Sequence, residues 1–165
     1  FPDDSAIEAA RIELEKKREK KKIISFIGFA STERTACAKA LSEQLGYRFV
    51  DLNTDNVNPV SVCSSGDNMV LSCGGDTILY PEKQSFIKEK TYPVWLVATS
   101  EFIKEGLSVA YRPQFGESMI GAMERLFDSR KIAYAETSEF IIRSDIRTPE
   151  ETALRLVSEL KEKNL

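Results

Sequence analysis

Histidine is absent from this 165-residue chain. Histidine is the commonest general base and the commonest protein ligand for metals, because its pKa lies close to neutral pH. A Ser–His catalytic triad and a His-rich zinc site are therefore excluded. Chemistry that uses carboxylates, lysine or phosphate transfer is left open.

Cysteine is scarce, and long apolar runs are missing. The three cysteines, Cys37, Cys63 and Cys73, are odd in number and have no metal-ligand spacing. They indicate reduced thiols in an intracellular or organellar compartment. No stretch reaches the roughly 20 consecutive apolar residues of a membrane span. The net charge is only −3, so we expect no nucleic-acid partner and no attraction to an anionic membrane.

The composition that is present suits one globular domain. Hydrophobic residues make up 42% and charged residues 30% of the chain, which is ordinary for a soluble domain, and the length suffices for a real core. The first residue is Phe1 and not Met, so we expect a processed protein or part of a longer one. Any targeting peptide would already be gone.

Residues 1–22 are predicted to form a charged N-terminal helix or linker. This segment is rich in helix formers, and Ile7, Ala10 and Leu14 give it a thin apolar stripe. Its last eight residues are all charged. Two interpretations stay open, a solvated helix leading into the domain and a helix that docks a protein partner.

Residues 23–165 alternate between strand and helix patterns. Apolar runs predict five strands, at 23–28, 47–52, 69–73, 93–98 and 140–144. Helical patterns occupy 36–46, 82–90, 100–110, 116–138 and a last segment from Thr148. Residues 53–68 are predicted to be a loop throughout. This order predicts an α/β fold, an open parallel sheet with helices on both faces in three αβα layers.

Two helix ends have strong local signals. Gly46 is predicted to end the helix at 36–46. Thr148 is a predicted N-cap, with Pro149 at the first helical position and Glu151 completing a capping box. The predicted apolar face of this last helix contains Leu154, Leu156, Val157 and Leu160.

The segment GFASTERT, at 28–35, lies between the first strand and the next helix. A phosphate-binding loop has this place and length, with the pattern G-x-x-x-x-G-K-[ST]. Gly28 and Thr35 match that pattern, whereas Glu33 replaces the second glycine and Arg34 replaces the lysine. The segment is either a degenerate phosphate loop or a chance strand–turn–helix.

Other polar residues follow the remaining strands, where a parallel sheet of this type binds its ligands. Asp51 and Asn53 follow the second strand, and Gly74, Gly75 and Asp76 follow the third. We therefore treat all five as candidate site residues.

The order and spacing of these segments resemble the shikimate kinases, which are small P-loop kinases, over about residues 23–160. In the family, the loop leads into a helix ending Leu-Gly and then a strand ending Asp-x-Asp. The segment IISFIGFASTERTACAKALSEQLGYRFVDLN follows the same order, except that an asparagine replaces the last aspartate. Further matching segments are Gly74-Gly75-Asp76, Val94-Trp95-Leu96, Arg112-Pro113-Gln114, Leu126 to Tyr134 and Thr148-Pro149-Glu150-Glu151. The resemblance implies the P-loop kinase fold with a five-stranded parallel sheet, and ATP and Mg²⁺ as cofactors of any active member.

The departures from the family pattern lie where the resemblance places its chemistry. Loop glycines are replaced by Ser31 and Glu33, and Asn53 stands where the family's second aspartate acts as the base. Asp76 puts a carboxylate into an expected anion site. Arg112 matches a substrate arginine of the family or is an ordinary surface arginine. We therefore expect vestigial positions, with no catalytic residue and no metal site.

Two segments are also shorter than the resemblance predicts. Residues 52–68 contain no Arg or Lys where the family has a substrate-binding insert, and residues 108–111 lead directly into Arg112 where it has a lid. Either both parts are lost or they are missing from the sequence in hand.

Three functions follow from this comparison. The first is a non-catalytic domain without a cofactor that acts by protein interaction or structural support, with ATP binding lost or strongly weakened. The second is a divergent active kinase that uses Arg34, Thr35 and Asp51 to transfer the ATP γ-phosphate to a shikimate-like hydroxyl. The third is a domain that retains a small anion or metabolite. By analogy with inactive relatives, we expect a transit peptide and a plastid location, the chloroplast of a plant.

Overall fold

A computed structural model of the chain describes residues 3–19, 23–29, 32–52, 58–63, 66–75, 77–99, 101–103 and 119–163. Four of the predicted site residues lie outside these ranges: Ser31, Asn53, Asp76 and Arg112. Most of the helix predicted at 100–110 also lies outside them, and residues 101–103 are helical.

Strands and helices alternate along the domain as the apolar pattern predicts. The strands are β1 (Ile23–Gly28), β2 (Arg48–Asp51), β3 (Met69–Ser72), β4 (Tyr92–Val97) and β5 (Phe140–Arg143). The helices are α1 (Asp4–Glu19), α2 (Arg34–Leu45), α3 (Pro59–Cys63), α4 (Pro81–Lys90), α5 (Met119–Thr137) and α6 (Pro149–Glu162), with a 3₁₀ turn at Thr77–Leu79. In the described part of the chain, no helix is both long and apolar enough to cross a membrane.

The strands form one parallel sheet in the order β2-β3-β1-β4-β5. One apolar core lies between the sheet and the helices α2 and α6, and a second lies between the other face and α3, α4 and α5. The predicted three-layer αβα fold is confirmed. Since the strands are parallel, all their carboxyl ends lie along one edge of the sheet, where the candidate site residues follow them.

The two predicted helix ends are confirmed. Gly46 ends α2 in the left-handed region at φ 70°, a conformation that costs glycine little. At the start of α6, the Thr148 hydroxyl accepts a hydrogen bond from the Glu151 amide at 3.1 Å. The Glu151 carboxylate accepts in turn from that hydroxyl, also at 3.1 Å. The N-cap is thus confirmed, but the hydrogen bonds of the described residues do not include the one from the Thr148 amide to Glu151 that would complete the predicted capping box.

Two predictions are wrong in detail. Residues 53–68 are not a loop throughout, because α3 forms there, with Pro59 at its first position and the Asn58 side chain accepting from the Val60 amide at 2.9 Å. Asn-Pro suits a helix start as well as a turn. The second error is the assignment of Leu154 to the apolar face of the last helix, since its side chain is 55% exposed. At 100° per residue, Leu154 lies roughly 160° from the buried Leu156 around the helix.

Candidate functional site

The candidate site begins where β1 ends, at Gly28. A Cβ at this position would lie 2.7 Å from the Leu96 carbonyl oxygen of β4, and the backbone φ is 150°. No larger residue fits such a close approach without displacing the sheet. Gly28 is therefore required by packing, whatever the loop after it binds.

Glu33 adopts a backbone conformation that suits the glycine it replaces. Its φ and ψ are 62° and 33°, in the left-handed region, and it is the only non-glycine residue with a positive φ in the described ranges. A side chain in this region costs about 1–2 kcal/mol. The loop thus keeps its turn into α2 although it has lost the residue that adopts that turn most readily.

Arg34 occupies the first turn of α2, where a phosphate loop has its lysine. Arg34 as a whole is half-buried, and its guanidinium donates a hydrogen bond from Nη1 to the Gly28 carbonyl oxygen. Glu33 precedes Arg34 in the loop, but the salt bridges of the described residues do not include a pair between these two side chains. The guanidinium therefore bonds to the backbone inside the loop.

A second guanidinium, that of Arg130 on α5, lies beside the first. A Cβ on Gly75 would lie 3.3 Å from Arg130 Nη1 and 3.4 Å from Arg34 Nη1. Arg130 Nη1 donates to the Gly75 carbonyl oxygen at 3.4 Å, and Arg130 Nε is buried with no hydrogen-bond partner among the described atoms. Two guanidinium groups therefore lie close together beside Gly75.

The electrostatics of Arg34 reflect this crowded position. Burial lowers the pKa of its guanidinium, and the Arg130 charge acts in the same direction, while Tyr134, Cys73 and Asp51 oppose both. Arginine nevertheless stays charged in proteins, because its ordinary pKa is above 12. The site consequently keeps a positive charge at neutral pH.

Tyr134 joins three elements at this point. Its side chain is fully buried, and its hydroxyl lies 2.6 Å from the Gly75 carbonyl oxygen and 3.1 Å from that of Gly28. A hydroxyl has one hydrogen, so the shorter contact is the better hydrogen bond. The ring stacks on Trp95 of β4 at 5.6 Å, within the apolar core between the sheet and α5.

A group of oxygen-bearing side chains lies beside the loop. The hydroxyls of Thr35 and Ser72 are 3.2 Å apart, and Asp51 is aligned with Ser72 across β2 and β3. Hydroxyl and carboxylate oxygens are the ligand types that Mg²⁺ takes. Within the described ranges, no three His, Cys, Asp or Glu side chains come together as a metal site.

The described residues fit a triphosphate poorly, although those hydroxyl and carboxylate oxygens are suitable for its magnesium ion. Glu33 adds a carboxylate to a loop whose amides would surround phosphates. Arg34 is turned inward to a carbonyl oxygen, an atom that repels anions. The structure thus brings together five predicted positions: Gly28, Arg34, Thr35, Asp51 and Gly75. Gly74 is next to them, and its carbonyl oxygen accepts from the Thr77 amide at 3.1 Å.

Arg130 and Tyr134 are functional-site residues that the sequence alone does not reveal. They matched a family segment, but no chemical role was given to them. Their spacing of four residues on a helix places both on one face, which is the available signal. What they contact could not be read from the sequence, since Gly75 lies 55 residues before Arg130.

The parallel sheet, together with a glycine-ended first strand that leads into a helix, defines the P-loop class of small-molecule kinase folds. The family model described as shikimate kinase matches residues 58–161, well over half of the chain. The chain belongs to the shikimate kinase family. The match begins after β2, so the loop at 28–35 lies outside it.

Individual relatives agree with this assignment. The chain is 24% identical over 170 residues to a shikimate kinase of Symbiobacterium thermophilum, covering 85% of this chain and 97% of that protein. It is 26% identical over 165 residues to the Enterococcus faecalis shikimate kinase, covering 84% and 98%. Because each alignment is longer than the part of this chain it covers, both relatives contain residues without a counterpart here.

A solved structure supports the fold. The shikimate kinase of Acinetobacter baumannii, determined in complex with shikimate, superposes with a TM-score of 0.74 at 18% identity. The superposition covers 91% of this chain and 98% of that one. At this identity the likeness establishes the fold and leaves the chemistry to the residues of the site.

Proposed function

We propose that this domain is a non-catalytic member of the shikimate kinase family that acts by protein interaction or structural support, with ATP binding lost or strongly weakened. The observation that carries the proposal is the inward hydrogen bond of Arg34 to the Gly28 carbonyl oxygen. A phosphate loop needs a lysine at this place that reaches the phosphates.

Glu33 sets the size of the expected loss. Two like charges about 4 Å apart repel by roughly 4 kcal/mol at an effective dielectric constant near 20. That repulsion alone weakens binding by about a thousandfold. Arginine also differs from lysine in shape, since its guanidinium is a planar fork and not a compact charge.

A calorimetric titration of the protein with ATP in the presence of Mg²⁺ tests the proposal. We expect no binding tighter than roughly 100 µM, which corresponds to about −5.5 kcal/mol. A dissociation constant below that value would contradict the loss of ATP binding.

A paired reversal then tests the explanation. The double variant Glu33→Gly with Arg34→Lys restores the glycine and lysine of a phosphate loop, and we expect nucleotide binding to return. The matched control, Glu33→Ala with Arg34→Met, removes both charges without restoring the glycine and lysine of the loop. This control should still not bind ATP. Equal binding by both variants would show that charge alone blocks the loop. No binding by either would assign the block to other positions.

The alternative function is a divergent kinase that transfers the ATP γ-phosphate to a shikimate-like hydroxyl. The neighbouring oxygens of Thr35, Ser72 and Asp51 are the observation that favours it. An assay for phosphorylated shikimate with ATP and Mg²⁺ distinguishes the two functions. Product formation that Asp51→Asn abolishes would replace the non-catalytic proposal.

A second candidate is a retained anion ligand without phosphate transfer. The two guanidiniums that face Gly75, and the unpartnered Nε of Arg130, favour a small carboxylate there. Shikimate is the first compound to test, because the Acinetobacter relative holds it in its solved complex. We expect shikimate to raise the melting temperature of the wild type and of Arg125→Met, a control on the same helix, but not that of Arg130→Met. No shift in any of the three would reject the candidate.

The interaction and location of the protein are further parts of the proposal. A charged helix, α1, precedes the sheet and is one candidate contact for a partner. Purification from native tissue should find the domain in a larger assembly, and a free monomer would count against this. A fluorescent fusion of the full precursor should enter plastids, and exclusion from them would contradict the proposed chloroplast location.

A further inference from the structure

The strand β5 is the outermost strand at its side of the sheet, and among the described strands it pairs with β4 alone. The Glu139 amide donates to the Pro93 carbonyl oxygen of β4 at 2.9 Å. Because backbone groups along a strand point alternately to either side, the N–H and C=O groups of Phe140 and Ile142 point away from β4. These two residues therefore present an edge that can pair with a further strand.

One face of β5 carries three exposed side chains that are ordered by charge, whereas the Ile142 side chain on the other face is buried. Ile141 lies in the middle of β5 and is 52% exposed. Glu139 and Arg143 are both exposed and lie two residues on either side of it. Because side chains alternate between the faces of a strand, all three lie on one face. The isoleucine lies midway between a negative and a positive side chain. When two copies of this strand pair antiparallel about the isoleucine, each negative charge therefore lies opposite a positive one.

We propose that a second copy of this chain docks here, its β5 pairing antiparallel with the first about a two-fold axis at Ile141. Phe140 of each copy then lies opposite Ile142 of the other, and the outward backbone groups of both residues exchange hydrogen bonds. Ile141 lies opposite its own counterpart in the closer, non-hydrogen-bonded type of pair. Glu139 of each copy lies opposite Arg143 of the other, so both ends of the junction are attractive.

The two requirements on this register are independent, and both are met. Backbone direction requires pairing through Phe140 and Ile142, while charge requires Glu139 opposite Arg143. A register shifted by two residues places Glu139 opposite Ile141 and loses the charge pairs. The Arg143 guanidinium also donates to Asp145 from Nε at 3.0 Å and from Nη2 at 2.8 Å, which fixes it at the end of the strand and leaves donors for a second carboxylate.

The opposite edge of the sheet shows that this complementarity is not general. The charges of β2 are Arg48 and Asp51, three residues apart and hence on opposite faces. In an antiparallel pair, residues directly opposite each other lie on the same face of the sheet. A two-fold pairing of β2 with a second copy therefore cannot place Arg48 opposite Asp51. Arg48 lies instead 3.8 Å from Asp67 of its own chain. The charge pattern thus selects β5 as the edge for a second copy.

The expected dimer is weak, because two four-residue strands bury less area than a standard interface of about 1,600 Å². We expect dissociation in the range of roughly 1–100 µM. Sedimentation velocity of the wild-type chain over a concentration series should therefore show a monomer–dimer equilibrium. A chain that stays monomeric at several hundred micromolar would overturn the proposal.

Charge reversal tests the surface and the register together. Glu139→Lys and Arg143→Glu each turn both attractive pairs into repulsive ones, and we expect each variant alone to dimerise about tenfold or more weakly. An equimolar mixture of the two variants restores both pairs and should form the mixed dimer with near wild-type affinity. Dimerisation that ignores the reversals, or a mixture that does not recover, overturns the assignment to β5.

Two controls separate the junction from general effects. Glu162→Lys on α6 and Arg125→Glu on α5 make the same charge changes at exposed positions away from β5, and should leave dimerisation unchanged. Melting temperatures of all variants show whether each is folded. The recovery in the mixture is the decisive result, since misfolded single variants could not produce it.

Discussion

Replacing Tyr134 by phenylalanine tests whether one hydroxyl holds α5 to the carboxyl ends of β1 and β3. The variant keeps the ring that stacks on Trp95 and removes only the oxygen. Gly75 then loses its 2.6 Å donor and keeps Arg130 at 3.4 Å. Gly28 loses a donor at 3.1 Å and keeps Arg34. The loss is therefore mainly one buried hydrogen bond to Gly75.

The size of the effect follows from burial. A buried acceptor that loses its partner costs about 1–3 kcal/mol. For a chain of this length, each kcal/mol lowers the melting temperature by roughly 2–4 °C. We expect Tyr134→Phe to unfold about 4–8 °C below the wild type, from a loss near 2 kcal/mol.

The chain contains a matched control in Tyr92. This residue is also buried, at 2% exposure, but its hydroxyl has no hydrogen-bond partner among the described atoms. Burial raises the pKa of Tyr92 to about 12, with smaller contributions from Glu159 and Glu139. Removing an unpaired buried hydroxyl is neutral or stabilising by up to about 1 kcal/mol. Tyr92→Phe should therefore melt at or slightly above the wild-type temperature.

Differential scanning calorimetry and urea denaturation of both variants provide the comparison. Opposite signs for the two Tyr→Phe substitutions support the hydrogen bonds of Tyr134 as the cause. Equal shifts in both variants would refute the reasoning, because a general effect of losing a phenol would then explain them.

Three further predictions concern the backbone and the thiols. Gly28→Ala should lower the free energy of unfolding, measured in urea, by at least about 3 kcal/mol, because its Cβ would lie 2.7 Å from a backbone oxygen of β4. Gly66 lies in open space at φ 79°, so Gly66→Ala should lower the same free energy by only about 1 kcal/mol. Glu33→Gly should stabilise the fold by about 0.5–1 kcal/mol, since relief of the left-handed strain exceeds the entropy of the added glycine; a loss of stability in urea would contradict this. Burial raises the pKa of Cys73 to about 12 and that of Cys63 to about 11, so iodoacetamide at pH 8 should leave both intact in the native protein, with the less buried Cys63 reacting first in urea. Rapid native labelling of Cys73 would be inconsistent with its position.

Much of the fold could be predicted because its signals are local. The apolar run at 23–28, the left-handed glycine at 46 and the cap at Thr148 each depend on residues next to them in sequence. The short helix α3 was missed because Asn58-Pro59 begins helices and turns alike. The positive φ of Glu33 follows from its place in the loop pattern and not from the preferences of glutamate.

The arrangement inside the site could not be predicted, because it depends on contacts between distant residues. The sequence places Arg34 in the loop but does not say which way its side chain turns. That direction is set by the Gly28 carbonyl oxygen and by the space beside Gly75. Arg130 reaches the same space from α5, and no local pattern connects that helix with β3.

The contacts of Tyr134 also bear on how the chain can be divided. They join α5 to residues 59 and 106 positions earlier, while β5 completes the sheet beside β4 and α6 packs against α2. Residues 119–163 are thus held to the remainder by noncovalent contacts from every element they contain. Two separately expressed fragments, divided between residues 104 and 118, should reassemble into this domain, which suits it to a split-reporter system.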